Sequence, residues 1–299
     1  MHTGHYAPLT LLLLVLQAAV AIAPANAACL SDAEVAQLIS AYETAIPAAT
    51  PSGLTPADGA CTRAKLNEAL QAKLGPPVGY KAGLTNPAVQ QRFKHDAPVR
   101  GTLYAPMLLP DGATVDANFG ARPLFEADLL VRVSDVSINE ANSPADVLAT
   151  IDQIIPFIEL PDLLVADPGA LNGAAIMAIN VGARLGVTGT PIAVQNSAAF
   201  SNMLRDMQVV VRSGDQELDR GKGSDVLGHP LSAVIWLVRD LARDGLALKP
   251  GDLVSLGSFS GLHAPSPGTT ITVEYLGLPG NPQVSVNFRQ AASHETPPL

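Results

Sequence analysis

The run Phe125-Glu126-Ala127-Asp128-Leu129-Leu130-Val131-Arg132-Val133 alternates as a half-buried β-strand does, and it dictates local structure more firmly than any other segment. Phe125, Ala127, Leu129, Val131 and Val133 share one face of such a strand. Glu126 and Asp128 therefore share the other, about 7 Å apart along the chain, close enough for both carboxylates to converge on one ion. Oxygen-only ligands favour a hard cation such as Mg²⁺, Mn²⁺ or Ca²⁺. The competing reading of the pair is the solvated side of a strand.

Two further charges stand out against apolar surroundings. Glu159 lies in Ile154-Ile155-Pro156-Phe157-Ile158-Glu159-Leu160-Pro161, where an unpaired carboxylate would cost several kcal/mol unless neutralised or bound. It is either a third ligand or half of a buried salt bridge, with Arg122 and Arg184 as candidate partners. Lys81 sits in Gly79-Tyr80-Lys81-Ala82-Gly83-Leu84-Thr85. Desolvation there can lower its pKa and let it bind, or exchange protons with, a carboxylate substrate. The alternative is a lysine that snorkels outward.

Around these candidates the sequence predicts an α+β fold. Ser31 and Glu34 form a capping box that opens a helix running to about Ile46. Residues 47–59 read as a loop, and Thr62 opens a second helix that Gly75 ends. These two helices make a small N-terminal helical lobe over residues 28–75. From Pro76 to residue 289 the texture is β-rich, with short runs punctuated by Gly, Pro and Asp-Gly. A few helices interrupt it: one from Ser143-Pro144 to about Ile155, one from Asn172 to Gly182, and an amphipathic one from His229-Pro230 to near Gly245. Strands follow at 253–257, 270–275 and 284–288, and the tail over 290–299 reads as disordered.

The N-terminus places the chain outside the cytoplasm. Residues 8–24 are almost wholly apolar and end in Ala25-Asn26-Ala27, a signal peptide over residues 1–27 cut after Ala27, which implies a periplasmic or secreted protein. The rival is a retained anchor, but the apolar run is short of the roughly 20 residues that span a bilayer comfortably. The formal charge of -9 argues against nucleic acid and anionic lipid as partners. Cys29 and Cys61 are the two cysteines, and in an oxidising compartment they read as one disulfide tying the new N-terminus to the second helix.

Taken together, several segments resemble the 2-keto-4-pentenoate hydratase family, the hydratase/decarboxylase branch of the fumarylacetoacetate hydrolase superfamily. They are Gly79 to Thr85, Val89-Gln90-Gln91, Asp96-Ala97-Pro98, Glu126-x-Asp128, Ile158-Glu159-Leu160-x-Asp162 and Leu227-Gly228-His229-Pro230-Leu231-x-Ala233-Val234. The similarity runs in order from about Arg63 to Phe288. It implies a fumarylacetoacetate-hydrolase-like β-rich catalytic domain and a divalent metal, Mg²⁺ or Mn²⁺, held by Glu126, Asp128 and Glu159. It further implies Lys81 and Asp96 as catalytic groups that move protons, with Lys81, Gly257 and Ser258 lining the bound acid. The implied substrate is a small 2-oxo acid, and the family's habit of forming multimers implies a homo-oligomer. The implied chemistry is addition of water to a 2-hydroxy-2,4-dienoate or decarboxylation of a related 2-oxo diacid.

Two departures accompany the resemblance. Asp128 stands where the family usually shows Glu, one methylene nearer the backbone. Export is unusual for enzymes of intracellular aromatic catabolism. Two rivals follow: an acylpyruvate C–C hydrolase, for which His95 would be the water-activating base, and an exported binding protein that has lost turnover. Gly257-Ser258-Phe259-Ser260-Gly261 has Phe259 at the middle position of a nucleophile elbow, and Gly221-Lys222-Gly223-Ser224 lacks the glycine loop of a phosphate cradle. His229 reads as a helix-start residue and His263 as a loop residue.

Overall fold

The computed structural model describes residues 1–4 and 28–290; residues 5–27 of the expected leader and 291–299 of the expected tail over 290–299 lie outside the described residues. Helix α1 (Asp32–Thr44) starts at the capping box, with Ser31 Oγ accepting the Glu34 N–H at 3.3 Å and the Glu34 carboxylate accepting the Ser31 N–H at 2.7 Å. Helix α2 (Pro56–Leu74) ends at Gly75 as expected but begins earlier than Thr62. Thr55 and Asp58 form a second capping box with Pro56 at the first helical position. Gly59, which argued for a loop, is helical because α2 presses against Ala174 so closely that a Cβ would overlap its carbonyl. A Cys29–Cys61 disulfide, with Cα atoms 5.4 Å apart, ties the entry segment to α2.

The remaining elements follow in chain order. They are β1 (Pro77–Gly83), α3 (Pro87–Arg92), β2 (Val99–Tyr104), β3 (Leu108–Pro110), β4 (Thr114–Asp116), β5 (Glu126–Val133), α4 (Pro144–Leu148), β6 (Ile151–Leu160) and α5 (Gly173–Ala178). After them come β7 (Leu185–Thr188), β8 (Ile192–Ala193), α6 (Ala198–Asp206), β9 (Gln208–Ser213), β10 (Gln216–Lys222), α7 (Ser232–Arg243), β11 (Leu253–Ser255), β12 (Thr269–Leu276) and β13 (Gln283–Arg289). One sheet runs β2-β1-β11-β5-β6-β7-β3, with β8 also paired to β6; a second runs β10-β9-β12-β13-β4. No helix among the described residues is long and apolar enough to cross a membrane.

The larger sheet carries an apolar cluster on each face. On one side Ala127, Leu129 and Val131 of β5 meet Val209, Val211, Ile271 and Val273 of the smaller sheet and Leu237 and Leu241 of α7. On the other, Leu130 of β5 and Phe157 of β6 join α1, α2 and α5. The two N-terminal helices thus share their core with the β-rich region. Strand β5 is buried on both faces, not half-buried, because helices cover the side that its alternation left polar.

Two other expectations need correction. The helix opened by Ser143 stops at Leu148, and Ile151 begins β6, where β-branched Ile151, Ile154 and Ile155 pack into the sheet. The Asn172 cap forms, its Oδ1 accepting the Ala175 N–H at 2.9 Å, but α5 ends at Ala178. Asn180, Val181 and Gly182 then turn through positive φ values of 53°, 55° and 66°.

Candidate active site

Strand parity and register assemble the acidic residues. In β5 the odd-numbered side chains enter the all-apolar cluster, so Glu126 and Asp128 project toward the helix-covered face. Antiparallel pairing sets Glu126 opposite Glu159 and Asp128 opposite Phe157. Ile158 and Leu160 enter the other core, which leaves Glu159 on the same face as Glu126. By the same parity Ala82 turns away and Lys81 turns toward the acids from β1. Lys81 and Glu159 are 3% and 2% exposed and Asp128 is 0% exposed, which excludes both a solvated strand face and a snorkelling lysine.

Lys81 Nζ pairs with Glu159 Oε1 and donates to the Val181 carbonyl at 3.1 Å. That carbonyl is aimed by the left-handed turn, where a β-branched residue at positive φ is held against its preference. Asn180 pins the turn: its Oδ1 accepts the Thr102 N–H at 2.8 Å and its Nδ2 donates to the Thr102 carbonyl at 3.0 Å. Neither arginine named as a partner of Glu159 reaches it. Arg122 donates to the Ala121 and Ala166 carbonyls, and Arg184 stacks on Tyr42 at 3.9 Å.

Asp128 is bound from the other side. Its Oδ2 accepts from Ser255 Oγ, and its Oδ1 accepts the N–H groups of Leu129 at 2.5 Å, Leu256 at 3.2 Å and Gly257 at 3.0 Å. Gly257, at φ +101°, brings its backbone so close to Thr85 that a Cβ would overlap that side chain. Ser258 follows, its Oγ donating to the Ser260 carbonyl at 2.8 Å. Asp128 thus fastens the strand end that carries Gly257 and Ser258.

Three carboxylates face one ammonium here, so the cluster has an excess of buried negative charge. Burial and the nearby Glu159 carboxylate raise the Glu126 pKa well above the usual carboxylate range and push Asp128 up to about 7. Glu159 Oε2 is buried with no hydrogen-bond partner. Such an orphaned oxygen within an all-carboxylate donor set fits a hard cation. As they stand, no three His, Cys, Asp or Glu side chains among the described residues converge as metal ligands, since Lys81 covers one side of Glu159 and Asp128 turns to Ser255.

Two adjoining clefts open on Glu126. The inner, of about 60 Å³, is lined by Lys81 and Glu126 and by apolar Leu84, Val89, Phe93 and Ile176. The outer, of about 110 Å³, is lined by Glu126, Thr85, Asn86, Arg92, Ser258 and Ser260. Asp96 is not brought to them; it is exposed on the loop between α3 and β2. His95 packs its ring on Gly173, and His263 hydrogen-bonds Asp219 at 2.9 Å. His229 Nδ1 accepts the Leu231 N–H at 3.1 Å, as a residue at a helix start does.

A larger groove, of about 540 Å³, lies elsewhere, between α2, edge strand β2 and the end of α7. Arg63 and Arg100 are buried beside it and pair with Asp240 and Asp244. Size alone would make it the site. Its buried arginines are each matched by an aspartate, however, whereas the smaller clefts adjoin carboxylates that outnumber their one lysine.

The sheet pair, the helical cover and the buried carboxylates opposite a lysine define a fold of the fumarylacetoacetate hydrolase superfamily. No family model matches the chain. It is 30% identical over 201 residues to a 4-oxalocrotonate decarboxylase of Pseudomonas putida, 67% of this chain and 74% of that relative. It is equally 30% identical, over 202 residues, to 2-keto-4-pentenoate hydratase 1 of Dechloromonas aromatica (strain RCB), covering 67% and 74%. Among solved structures, 4-oxalocrotonate decarboxylase from Pseudomonas putida G7, complexed with magnesium and adipate, superposes with a TM-score of 0.76 at 26% identity, over 86% of this chain and 96% of that one. The chain belongs to the 2-keto-4-pentenoate hydratase/4-oxalocrotonate decarboxylase family of enzymes.

Sequence reasoning missed four contributors: Ser255, the Asn180-Val181 turn, Arg92 and the backbone N–H groups that hold Asp128. Asn180 before Val181-Gly182 carries a weak turn signal. The others become visible only once the strands are paired.

Proposed function

We propose that this chain is a metal-dependent lyase acting on a small 2-oxo acid, adding water to a 2-hydroxy-2,4-dienoate or decarboxylating a related 2-oxo diacid. One observation carries the reading: Glu126 and the buried Lys81 line one cleft, and Glu159, with an orphaned oxygen, is paired to both behind them. Glu126 and Glu159 would hold a divalent ion, Mg²⁺ or Mn²⁺, with Asp128 completing the acidic set from behind its hydrogen bonds. Such an ion supplies Lewis-acid polarisation of the 2-oxo group and its carboxylate. Lys81, buried beside Glu126 and Glu159, would present an ammonium that can donate to a substrate oxygen or move a proton at the adjacent carbon. Leu84, Val89 and Phe93 give the inner cleft an apolar wall, which would strengthen electrostatic contacts made at Lys81 and Glu126.

Support for a lyase over a hydrolase comes from His95, which lies against Gly173 and lines neither cleft. Carbon dioxide release and water addition, each assayed with Mg²⁺ or Mn²⁺ supplied, test the reading. One of the two products is expected, and neither would refute it. We propose further that the chain acts outside the cytoplasm, without nucleic acid or membrane partners in its mature form and as a homo-oligomer. The Ala28 N–H donates to Asp58 Oδ1 at 2.5 Å, so cleavage after Ala27 would place a new ammonium on a carboxylate, next to the disulfide. A mature mass beginning at Ala28 in the exported fraction is the expected result; a full-length cytoplasmic chain would contradict it.

A further inference from the structure

Arg92 closes α3 at the mouth of the outer cleft, exposed, with no carboxylate paired to it among the described residues. Its guanidinium lies 5.5 Å from the centroid of the Phe93 ring, and Phe93 in turn lines the inner cleft. Two cations therefore line this bipartite space, and they differ. Lys81 already has Glu159 as a counter-charge, while Arg92 has none.

The polarity of the walls is ordered along the space. Glu126 stands where the two clefts meet, and Leu84, Val89 and Leu262 line both. Asn86, Arg92, Ser258 and Ser260 surround the outer end. A molecule seated by its 2-oxo acid end beside Glu126 would lay a short hydrocarbon stretch along the apolar residues. It would then present its far end to a guanidinium and several neutral hydrogen-bonding groups. Guanidinium forks bind carboxylates with two parallel charge-assisted hydrogen bonds, which a methyl or vinyl terminus cannot accept.

We propose that Arg92 is a specificity-determining residue that recognises the distal carboxylate of a 2-oxo dicarboxylic acid, so that this site selects diacids over monoacids of the same length. The inference rests on the 2-oxo acid reading above and narrows it to the decarboxylase-type substrate class. Because Arg92 is exposed and supports no other side chain through an ion pair, its loss leaves the fold intact.

The test compares the Kd values of 2-oxoadipate and 2-oxohexanoate, equal in length and differing in the distal carboxylate, by calorimetry on the Mg²⁺-loaded full chain. The wild-type protein is expected to bind the diacid about tenfold or more tightly than the monoacid. Arg92→Gln should bring that ratio to about one by weakening the diacid alone, and Arg92→Lys should retain an intermediate ratio. A wild-type ratio near one, or a ratio unchanged in Arg92→Gln, overturns the assignment while leaving the 2-oxo acid reading standing. Equal weakening of both ligands in Arg92→Gln also overturns it. If neither ligand binds the Mg²⁺-loaded wild-type protein, the underlying reading falls and the inference falls with it.

Discussion

The Arg63–Arg100–Asp240–Asp244 cluster and the Lys81–Glu126–Asp128–Glu159 cluster both bury their cations and both join elements distant in sequence, but their charge counts differ. The first matches the two buried arginines with two aspartates, Asp240 also meeting exposed Arg243, and links α2, β2 and α7. The second sets one cation, Lys81, against three anions on paired strands β5 and β6. A balanced cluster can satisfy itself within the fold, whereas an unbalanced one raises the pKa of its own members and is completed only by an added positive charge. On the proposed reading, function is marked by the imbalance and not by cavity size, since the larger groove lies beside the balanced set.

The largest separation between the clusters is expected in catalysis. Glu126→Gln should lower kcat/KM by about 10³-fold or more with Mg²⁺ supplied, whereas Arg100→Met should leave the turnover of the folded fraction within about threefold. Comparable losses in both variants would erase the distinction.

Stability should divide them in the opposite sense. Arg100→Met removes the buried guanidinium that joins Asp240 and Asp244, leaving Arg63 on Asp244 and Arg243 on Asp240, and should cost about 1–3 kcal/mol in urea denaturation. Glu126→Gln removes one of the excess charges and should raise the Tm of the metal-free protein.

A third separation lies in pH. With Asp128 pushed up to about 7 and Glu126 also raised, the folded metal-free chain binds more protons than the unfolded chain between about pH 4 and 7. This contribution to stability is fully present below the unfolded carboxylate pKa and is lost as pH rises through about 7. The metal-free protein should therefore melt at a higher temperature at pH 6 than at pH 8, and Asp128→Asn should flatten that slope. A Tm that rises from pH 6 to pH 8 by the same amount in both proteins would contradict the sign.

Much of this contrast was legible before any strand was paired. Alternation placed Glu126 and Asp128 on one face, and Lys81 and Glu159 stood out as lone charges in apolar runs. The burial of both faces of β5 was not legible, because periodicity shows one apolar side and says nothing of the helices that cover the other. Residues 151–155 were read as the end of a helix because the Ser143-Pro144 start signal is strong and the β-branched isoleucines share its spacing. The β9–β10 hairpin went unread because Glu217, Asp219 and Arg220 make β10 nearly all polar. The Arg63 and Arg100 network is assembled by tertiary contact between α2, β2 and α7 and leaves no local pattern in the sequence.

The smallest effect concerns the shortened ligand. Asp128→Glu extends the carboxylate by one methylene beyond the N–H groups of Leu256 and Gly257, and should tighten Mn²⁺ binding by roughly three- to tenfold. A weaker Kd would show that the bonds to Ser255, Leu256 and Gly257 matter more than reach.

The most direct measurement is a Mn²⁺ titration of the metal-stripped wild-type chain by calorimetry, repeated on Glu126→Gln, Glu159→Gln and Arg100→Met. The unbalanced cluster predicts one site per chain in the wild type and in Arg100→Met, weakened at least about 100-fold by either glutamine substitution. A wild-type chain that takes up no Mn²⁺, or one whose affinity is unmoved by losing Glu126 or Glu159, would contradict it.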